Sequence, residues 1–137
     1  MAGSQQIDIP AGSLRAGVAK SDITTSEEDV PVHDPLYARA LVLDDGATQI
    51  AIVAMDVVSI GDLSDVSDEF LGNLRARIEG ELGIPGGNVL VNATHTHPPT
   101  RRLLCDDAEQ VSRTLDAVKR ALGNLTPVTV GWGFGRE

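Results

Sequence analysis

The chain has 137 residues, of which 42% are apolar and 23% charged, a composition typical of one soluble domain and unlike a disordered chain, collagen or a coiled coil. Aromatic residues make up only 3%, so the core must be aliphatic, and platforms that stack bases are not expected. The net charge of −9 opposes binding to nucleic acid, and the single cysteine, Cys105, excludes an internal disulfide and a thiolate zinc knuckle.

Residues 1–12 are small and polar and are predicted to form a loose leader, followed by a single α/β domain over residues 13–137. The leader lacks the basic start and the apolar stretch of a secretory signal, which favours the cytoplasm. No apolar run reaches the ~18 residues of a membrane span.

The first three predicted strands cover residues 14–23, 36–43 and 49–58, which are apolar and partly β-branched. The second and third strands are separated by Asp44-Asp45-Gly46-Ala47, and Asp-Gly between two such runs predicts a β-hairpin. If Leu43 faces Thr48 in this hairpin, Pro35 faces Asp56.

A helix is predicted over residues 65–82, because apolar side chains recur there every four residues at Phe70, Leu74, Ile78 and Leu82. Ser64 or Ser67 is expected to cap its start, and Gly83 to stop it. A short buried strand follows at 88–94, which completes a βαβ crossover with two parallel strands.

A second helix is predicted over residues 107–122, with the apolar stripe Val111, Leu115, Val118 and Leu122. Asp106 and Glu109 have the spacing of a capping box, and Gly123 is expected to be the C-terminal cap. A final strand covers residues 127–132. The predicted fold is therefore α/β, a mixed sheet with a β-hairpin, a βαβ crossover and a second helix.

The candidate functional residues cluster where the two parallel strands end, since open α/β sheets bind ligands at that edge. Asp56 ends the third strand, and His95 and His97 follow the fourth. With the hairpin register given above, His33 and Asp34 arrive nearby. A self-contained metal site of His33, His95, His97 and Asp56 is therefore conceivable.

Among the candidate residues, His95 and His97 give the strongest indication of a functional site. Residues two apart in an extended segment point to the same side, so two imidazoles could chelate zinc or a similar ion. A solvated or hydrogen-bonded pair of histidines in a loop is the alternative.

Other polar residues near this edge have both structural and functional interpretations. Asp56 either caps a loop or orients a metal-binding histidine from behind. Arg39 lies within an apolar strand and is expected to be buried in an ion pair rather than to contact substrate. Arg101 and Arg102 could grip an anionic group or a carbonyl, or form a solvated pair, whereas Cys105 is expected to be an inert thiol.

Five segments of the chain occur in an order that resembles a known family: AGVAKSDIT, HDPLYARALVLDDG, IAIVAMDVVSI, NVLVNATHTH and ALGNLTPVTVGWGFGRE. Together they resemble the N-terminal part of the neutral/alkaline non-lysosomal ceramidases and their bacterial relatives. The resemblance runs from about Arg15 to Glu137 and implies that the chain is part of a larger ceramidase-like α/β domain.

The resemblance implies a zinc-dependent hydrolase of an N-acyl (amide) bond that uses metal-activated water. It implies that His95 is a zinc ligand and that His97 is a second active-site histidine, at the metal or on the substrate. Asp56 and Arg39 match positions near the site. Arg101 is assigned to substrate binding from its position after the histidine segment, not from the resemblance.

The family's remaining zinc ligands, a histidine, a glutamate and a tyrosine, have no counterpart in these 137 residues. A second polypeptide or a missing C-terminal part of the same precursor is therefore expected to supply them. Ceramidases read H-T-H-S-G-P where this chain has H-T-H-P-P-T. Since Pro98 has no N–H to donate, an altered pocket is expected, with a small amide or N-acyl substrate other than ceramide.

Two alternatives to an enzyme part remain open. The chain could be a non-enzymatic α/β module that binds a metal or a partner. It could also be a truncated product whose exposed sheet edge causes self-association.

Overall fold

The computed structural model describes residues 14–61 and 65–135, so the predicted leader at 1–12 lies outside the described residues. The strands are β1 (Arg15–Asp22), β2 (Tyr37–Asp44), β3 (Gln49–Met55), β4 (Val89–Ala93) and β5 (Thr126–Pro127). The helices are α1 (Glu69–Leu82) and α2 (Asp107–Gly123), with short 3-10 turns at Gly86–Asn88 and Arg101–Leu103.

The strands form one mixed sheet in the order β4-β3-β2-β1-β5. β2 and β3 are the two arms of the hairpin, β3 and β4 run parallel with α1 between them in the chain, and β1 is antiparallel to both β2 and β5. The predicted α/β class, hairpin and βαβ unit are thereby confirmed.

The hairpin register differs by two residues from the predicted one. Leu43 pairs with Ile50 rather than Thr48, because the loop consists of residues 45–48. The Asp45 side chain fixes this loop by accepting hydrogen bonds from the backbone N–H groups of Ala47 and Thr48, at 2.9 and 2.7 Å. Asp56 is consequently level with Tyr37 and not with Pro35, and its N–H donates to the Tyr37 carbonyl at 2.9 Å.

The helices begin and end for identifiable reasons. α2 starts as predicted, because the Asp106 side chain accepts a hydrogen bond from the Glu109 N–H at 2.8 Å. It includes Gly123 as its last residue, so the prediction that Gly123 is the cap is wrong. α1 begins at Glu69, four residues later than predicted, and ends at Gly83, whose φ of 76° is the left-handed conformation that favours glycine.

The core lies between the sheet and the helices. Phe70, Leu74 and Ile78 of α1 are buried, as are Val111, Leu115 and Val118 of α2, which confirms most of the two predicted stripes. They pack with the alternate strand residues that face the helices, from Ala38, Ala40 and Val42 to Ala51, Val53 and Met55. Within the described ranges, neither helix combines the length and apolar character needed to cross a membrane.

The predicted final strand is reduced to β5, two residues long. β5 runs antiparallel to β1 and pairs with Arg15 and Ala16, the first two residues of β1. The last bond at this end is donated by the Val128 N–H to the Leu14 carbonyl, at 3.0 Å.

The opposite face of the sheet carries an apolar row. Val18, Leu41, Ile52 and Leu90 are aligned across β1, β2, β3 and β4 by the strand register. Val18 is 66% exposed and Leu90 is 56% exposed. Here a groove of about 490 Å³ runs over the sheet between Val18, Leu41 and Ile52, with Lys20 and Arg39 beside it. We call this surface the open face.

Candidate metal site at the carboxyl edge of the sheet

The histidine segment directly follows β4 and remains attached to the segment that follows β3. The Thr94 N–H donates to the Met55 carbonyl at 2.9 Å, and the Thr96 N–H donates to the Val57 carbonyl at 3.0 Å. These alternate bonds continue the parallel pairing beyond the strands themselves. The segments that follow β3 and β4, where the candidate residues are predicted to lie, are therefore joined by backbone hydrogen bonds.

The two imidazole rings lie together, although the segment is not extended as the sequence suggested. His95 has a φ of 63°, the one non-glycine residue with positive φ in the described part of the chain. This left-handed turn leaves the Nε2 atoms of His95 and His97 3.2 Å apart and the ring centroids 4.8 Å apart, with the planes nearly perpendicular. Both side chains are exposed and reachable from solvent.

The protonation of the pair follows from its partners. His95 Nδ1 is 2.8 Å from the Val58 carbonyl oxygen, which can only accept, so Nδ1 carries a proton. In the neutral ring, Nε2 of His95 then holds a lone pair. The 3.2 Å contact is then a hydrogen bond when His97 carries its proton at Nε2. A carbonyl behind a histidine is also the arrangement that orients metal-binding imidazoles.

The pair fits a zinc ion as far as two ligands can. Two nitrogens bound at 2.0–2.1 Å to a tetrahedral zinc ion are about 3.3–3.4 Å apart, close to the 3.2 Å between the Nε2 atoms. However, among residues 14–61 and 65–135 no group of three or more His, Cys, Asp or Glu side chains is arranged to hold a metal. The described residues therefore bring together two imidazoles at a suitable distance, but no complete metal site.

The self-contained four-residue site conceived from the sequence is wrong. The His33 side chain is 98% exposed and contacts Asp34, with 2.8 Å between His33 Nδ1 and Asp34 Oδ2. This carboxylate raises the pKa of His33. The register shift explains the error, since it places Tyr37 rather than Pro35 beside Asp56.

The Asp56 carboxylate accepts several hydrogen bonds beside the histidine segment. It accepts from the Tyr37 N–H at 3.0 Å, from Nη1 of Arg39 at 2.7 Å to both oxygens, and from the Thr94 hydroxyl at 3.2 Å. None of these partners is an imidazole, and the Val58 carbonyl holds His95 instead. Asp56 therefore acts on the histidine segment through Thr94.

Arg39 forms the expected ion pair but is not buried. Its side chain is 48% exposed on the open face, while that of Asp56 is only 13% exposed. The guanidinium also lies 5.3 Å from the centre of the Tyr37 ring. An arginine in an apolar strand is tolerated here because that side of the strand faces away from the helices.

Two arginines follow the histidines, and the structure describes the side chain of the second one only. Arg101 opens a 3-10 turn, and its side chain lies outside the description, so its assignment to substrate stays a prediction. Arg102 is engaged with two acidic residues of the 24–35 loop, Glu27 and Asp29. Its guanidinium lowers the pKa of Asp29 through hydrogen bonding and charge.

Cys105 is buried after this turn, and burial raises its pKa to about 11. Its thiol is therefore protonated at neutral pH, as expected for an inert cysteine.

Sequence reasoning missed three contributors to the site. Nothing in the sequence indicated the Val58 carbonyl, because any residue can supply a backbone acceptor. The sequence did indicate Thr94 and Thr96, since they alternate with the histidines, and their hydroxyls lie 2.7 Å apart.

The fold and the histidine pair thus define an α/β domain with part of a candidate metal site at the carboxyl edge of its sheet. Among solved structures, this fold is similar to that of a ceramidase complexed with C2, with a TM-score of 0.64 and 20% sequence identity. It is also similar to the neutral ceramidase of Pseudomonas aeruginosa, with a TM-score of 0.62 and 20% identity. Each comparison covers 84% of this chain and 22% of the ceramidase chain.

These likenesses confirm a ceramidase-like fold, as the sequence segments implied, and show that the chain spans about a fifth of the length of those proteins. No protein-family model and no curated protein matches the chain.

Proposed function

We propose that this chain is part of a zinc-dependent amide hydrolase of ceramidase-like type, to which it supplies His95 and His97. The observation that carries the proposal is the 3.2 Å separation of two Nε2 atoms at the carboxyl edge of a ceramidase-like fold. The alternative is a hydrogen-bonded pair of histidines without a metal, which has the same separation of the two Nε2 atoms, and metal analysis distinguishes the two.

The chain's own residues would prepare the site. The Val58 carbonyl holds the proton of His95 at Nδ1 and so leaves Nε2 unprotonated, as a ligand for a cation must be. His97 either binds the same ion through Nε2 or keeps its proton there, where it can stabilise negative charge on a substrate oxygen. Zinc bound at such a site supplies activation of water and polarisation of the amide carbonyl.

The remaining ligands would come from polypeptide beyond the described residues, either a second chain or a further part of the same precursor. Support comes from the two-ligand limit of the described residues and from the chain's span of 22% of the solved ceramidases. The substrate class would be an N-acyl amide, with Arg101 contacting its carbonyl or anionic group.

The experiment is metal analysis of the purified protein with everything that accompanies it, together with hydrolysis of N-acyl amides. One zinc per complex and amide hydrolysis are expected, and His95→Ala should remove both. His33→Ala is the matched control, because His33 is equally accessible but lies outside the pair. Equal zinc content in the His95→Ala and His33→Ala variants would contradict the proposal.

A non-enzymatic module is the second candidate, favoured by the finding that the described residues assemble only two ligands. A metal-free monomer without amide hydrolysis would support it. Zinc bound without hydrolysis would restrict the function to metal binding.

A further inference from the structure

The left-handed turn at His95 is enclosed by two anchored threonines. A non-glycine residue with φ near 63° is strained, and it persists only where its surroundings determine it. Here the residues on both sides of His95 are fixed to the segment after β3, by the bonds from Thr94 N–H to Met55 and from Thr96 N–H to Val57.

The side chains of the same threonines form a directed chain of hydrogen bonds. The Asp56 carboxylate can only accept, so the Thr94 hydroxyl donates its proton to Asp56 across 3.2 Å. The Thr94 oxygen must then accept from the Thr96 hydroxyl, 2.7 Å away. Arg39 holds the other end by donating to both oxygens of Asp56 at 2.7 Å.

We propose that Thr94 and Thr96 are positioning residues that transmit the Arg39–Asp56 ion pair to His95 and keep its Nε2 unprotonated for a cation. The proposal deepens the proposed function and rests on it for the identity of the cation. The effect of the two threonines on the turn at His95 does not depend on a bound metal. Without the hydroxyl chain, only the backbone bond to Val57 anchors residue 96, so the turn at His95 gains freedom and the bond from Nδ1 to the Val58 carbonyl is less firmly held.

Two measurements on the full protein test this. Long-range proton–nitrogen NMR of the imidazoles reports which nitrogen of His95 carries the proton in the metal-free protein. Titration with Co²⁺ reports the affinity of the pair. The variants are Thr96→Val, which removes the hydroxyl at nearly constant shape, and Thr96→Ser, which restores it. Thr126→Val, in exposed β5, is the matched control.

We expect Thr96→Val to mix the two His95 tautomers and to weaken Co²⁺ binding by about 10-fold or more, the range seen when groups behind a ligand are lost. Thr96→Ser should restore both readouts to within about twofold, and Thr126→Val should change neither. Asp56→Asn should reproduce the effect of Thr96→Val, because an amide cannot replace the charge that holds Arg39.

The outcomes separate the two proposals. Unchanged tautomers and unchanged Co²⁺ affinity in Thr96→Val would overturn the positioning role while leaving the metal site intact. A tautomer change without Co²⁺ binding by any variant, the wild type included, would support the positioning role and overturn the metal site. Failure of Thr96→Ser to restore the tautomer would also overturn the positioning role, since it would show that the shape of the side chain matters rather than its hydroxyl.

Discussion

Single residues in this chain owe their chemistry to their immediate neighbours. Cys105 and the group formed by Arg102, Glu27 and Asp29 show the two causes most clearly. Burial is the largest cause that raises the pKa of Cys105, with the charges of Glu109 and Asp106 adding to it, whereas hydrogen bonding and charge from Arg102 lower that of Asp29. Both lie on segments next to the histidines, so they affect the surroundings of the candidate site without being part of it.

Cys105 should react slowly with thiol reagents in the folded protein. A pKa of about 11 leaves a thiolate fraction at pH 8 roughly 100-fold smaller than the usual value of 9.0 would. Alkylation by iodoacetamide should therefore be at least about 100-fold slower in native buffer than in urea, followed by mass spectrometry. Equal rates in the two solvents would show that the thiol is open and ionised.

Replacement of Arg102 by Gln should raise the pKa of Asp29 towards 3.8, its value without that partner. Since the pKa of Asp29 is lowered in the folded state, the stabilisation is present above pH 3.8 and is lost as the pH falls through the folded-state pKa. Carbon-detected NMR titration of the carboxyl groups gives the pKa directly. The pair is exposed, so we expect little change in unfolding at pH 7.

At the scale of elements, the close contact between β1 and α2 organises the fold. A Cβ at Gly17 would lie 2.0 Å from the backbone oxygen of Ala121, so glycine is required for the helix to approach the strand. The free carbonyls of β1 are covered by the same helix: Asn124 donates to Val18, and Arg120 donates to Lys20. α2 therefore covers one face of the sheet, and Arg120 and Asn124 protect the part of β1 that β5 does not pair with.

Gly17→Ala should destabilise the protein by about 2–3 kcal/mol, because the helix must move away from the strand. Gly72→Ala in α1 is the matched control. Nothing lies within 4 Å of its added methyl group, so the change should stabilise by about 0.5–1 kcal/mol. Urea unfolding of the two variants measures both. Similar effects of the two changes would mean that β1 and α2 are not in close contact.

At the scale of the whole molecule, the two helices of the described residues both pack on the same side of the sheet. The aligned row of Val18, Leu41, Ile52 and Leu90 leaves an apolar strip on the open face. Apolar patches of this kind promote association unless something covers them. The open face also reaches the candidate site, because Arg39 lies on it and holds Asp56.

The purified 137-residue chain should therefore self-associate with increasing concentration. Val18→Lys combined with Leu90→Lys should shift it towards the monomer in sedimentation velocity, because both side chains are more than half exposed on the open face. Val32→Lys is the control, since Val32 is also exposed, at 42%, but lies in the loop before β2. A monomer at all concentrations, or an equal effect of Val32→Lys, would contradict the expectation.

The sequence by itself determined the features that depend on neighbours in the chain. Asp45 and Gly46 specified the hairpin, the four-residue spacing of Phe70, Leu74 and Ile78 specified α1, and the apolar run before His95 placed the histidines at a strand end. Such signals are local, because turn geometry and the period of a helix repeat over a few residues.

Only the tertiary structure decided how the candidate site is assembled. The two-residue register shift moved Tyr37 to Asp56 and left His33 in solvent, and the left-handed turn brought the two imidazoles together. The acceptor behind His95 is the backbone of Val58, 37 residues away in the chain. Register and backbone acceptors depend on which strands lie side by side, and no short pattern of side chains records that information.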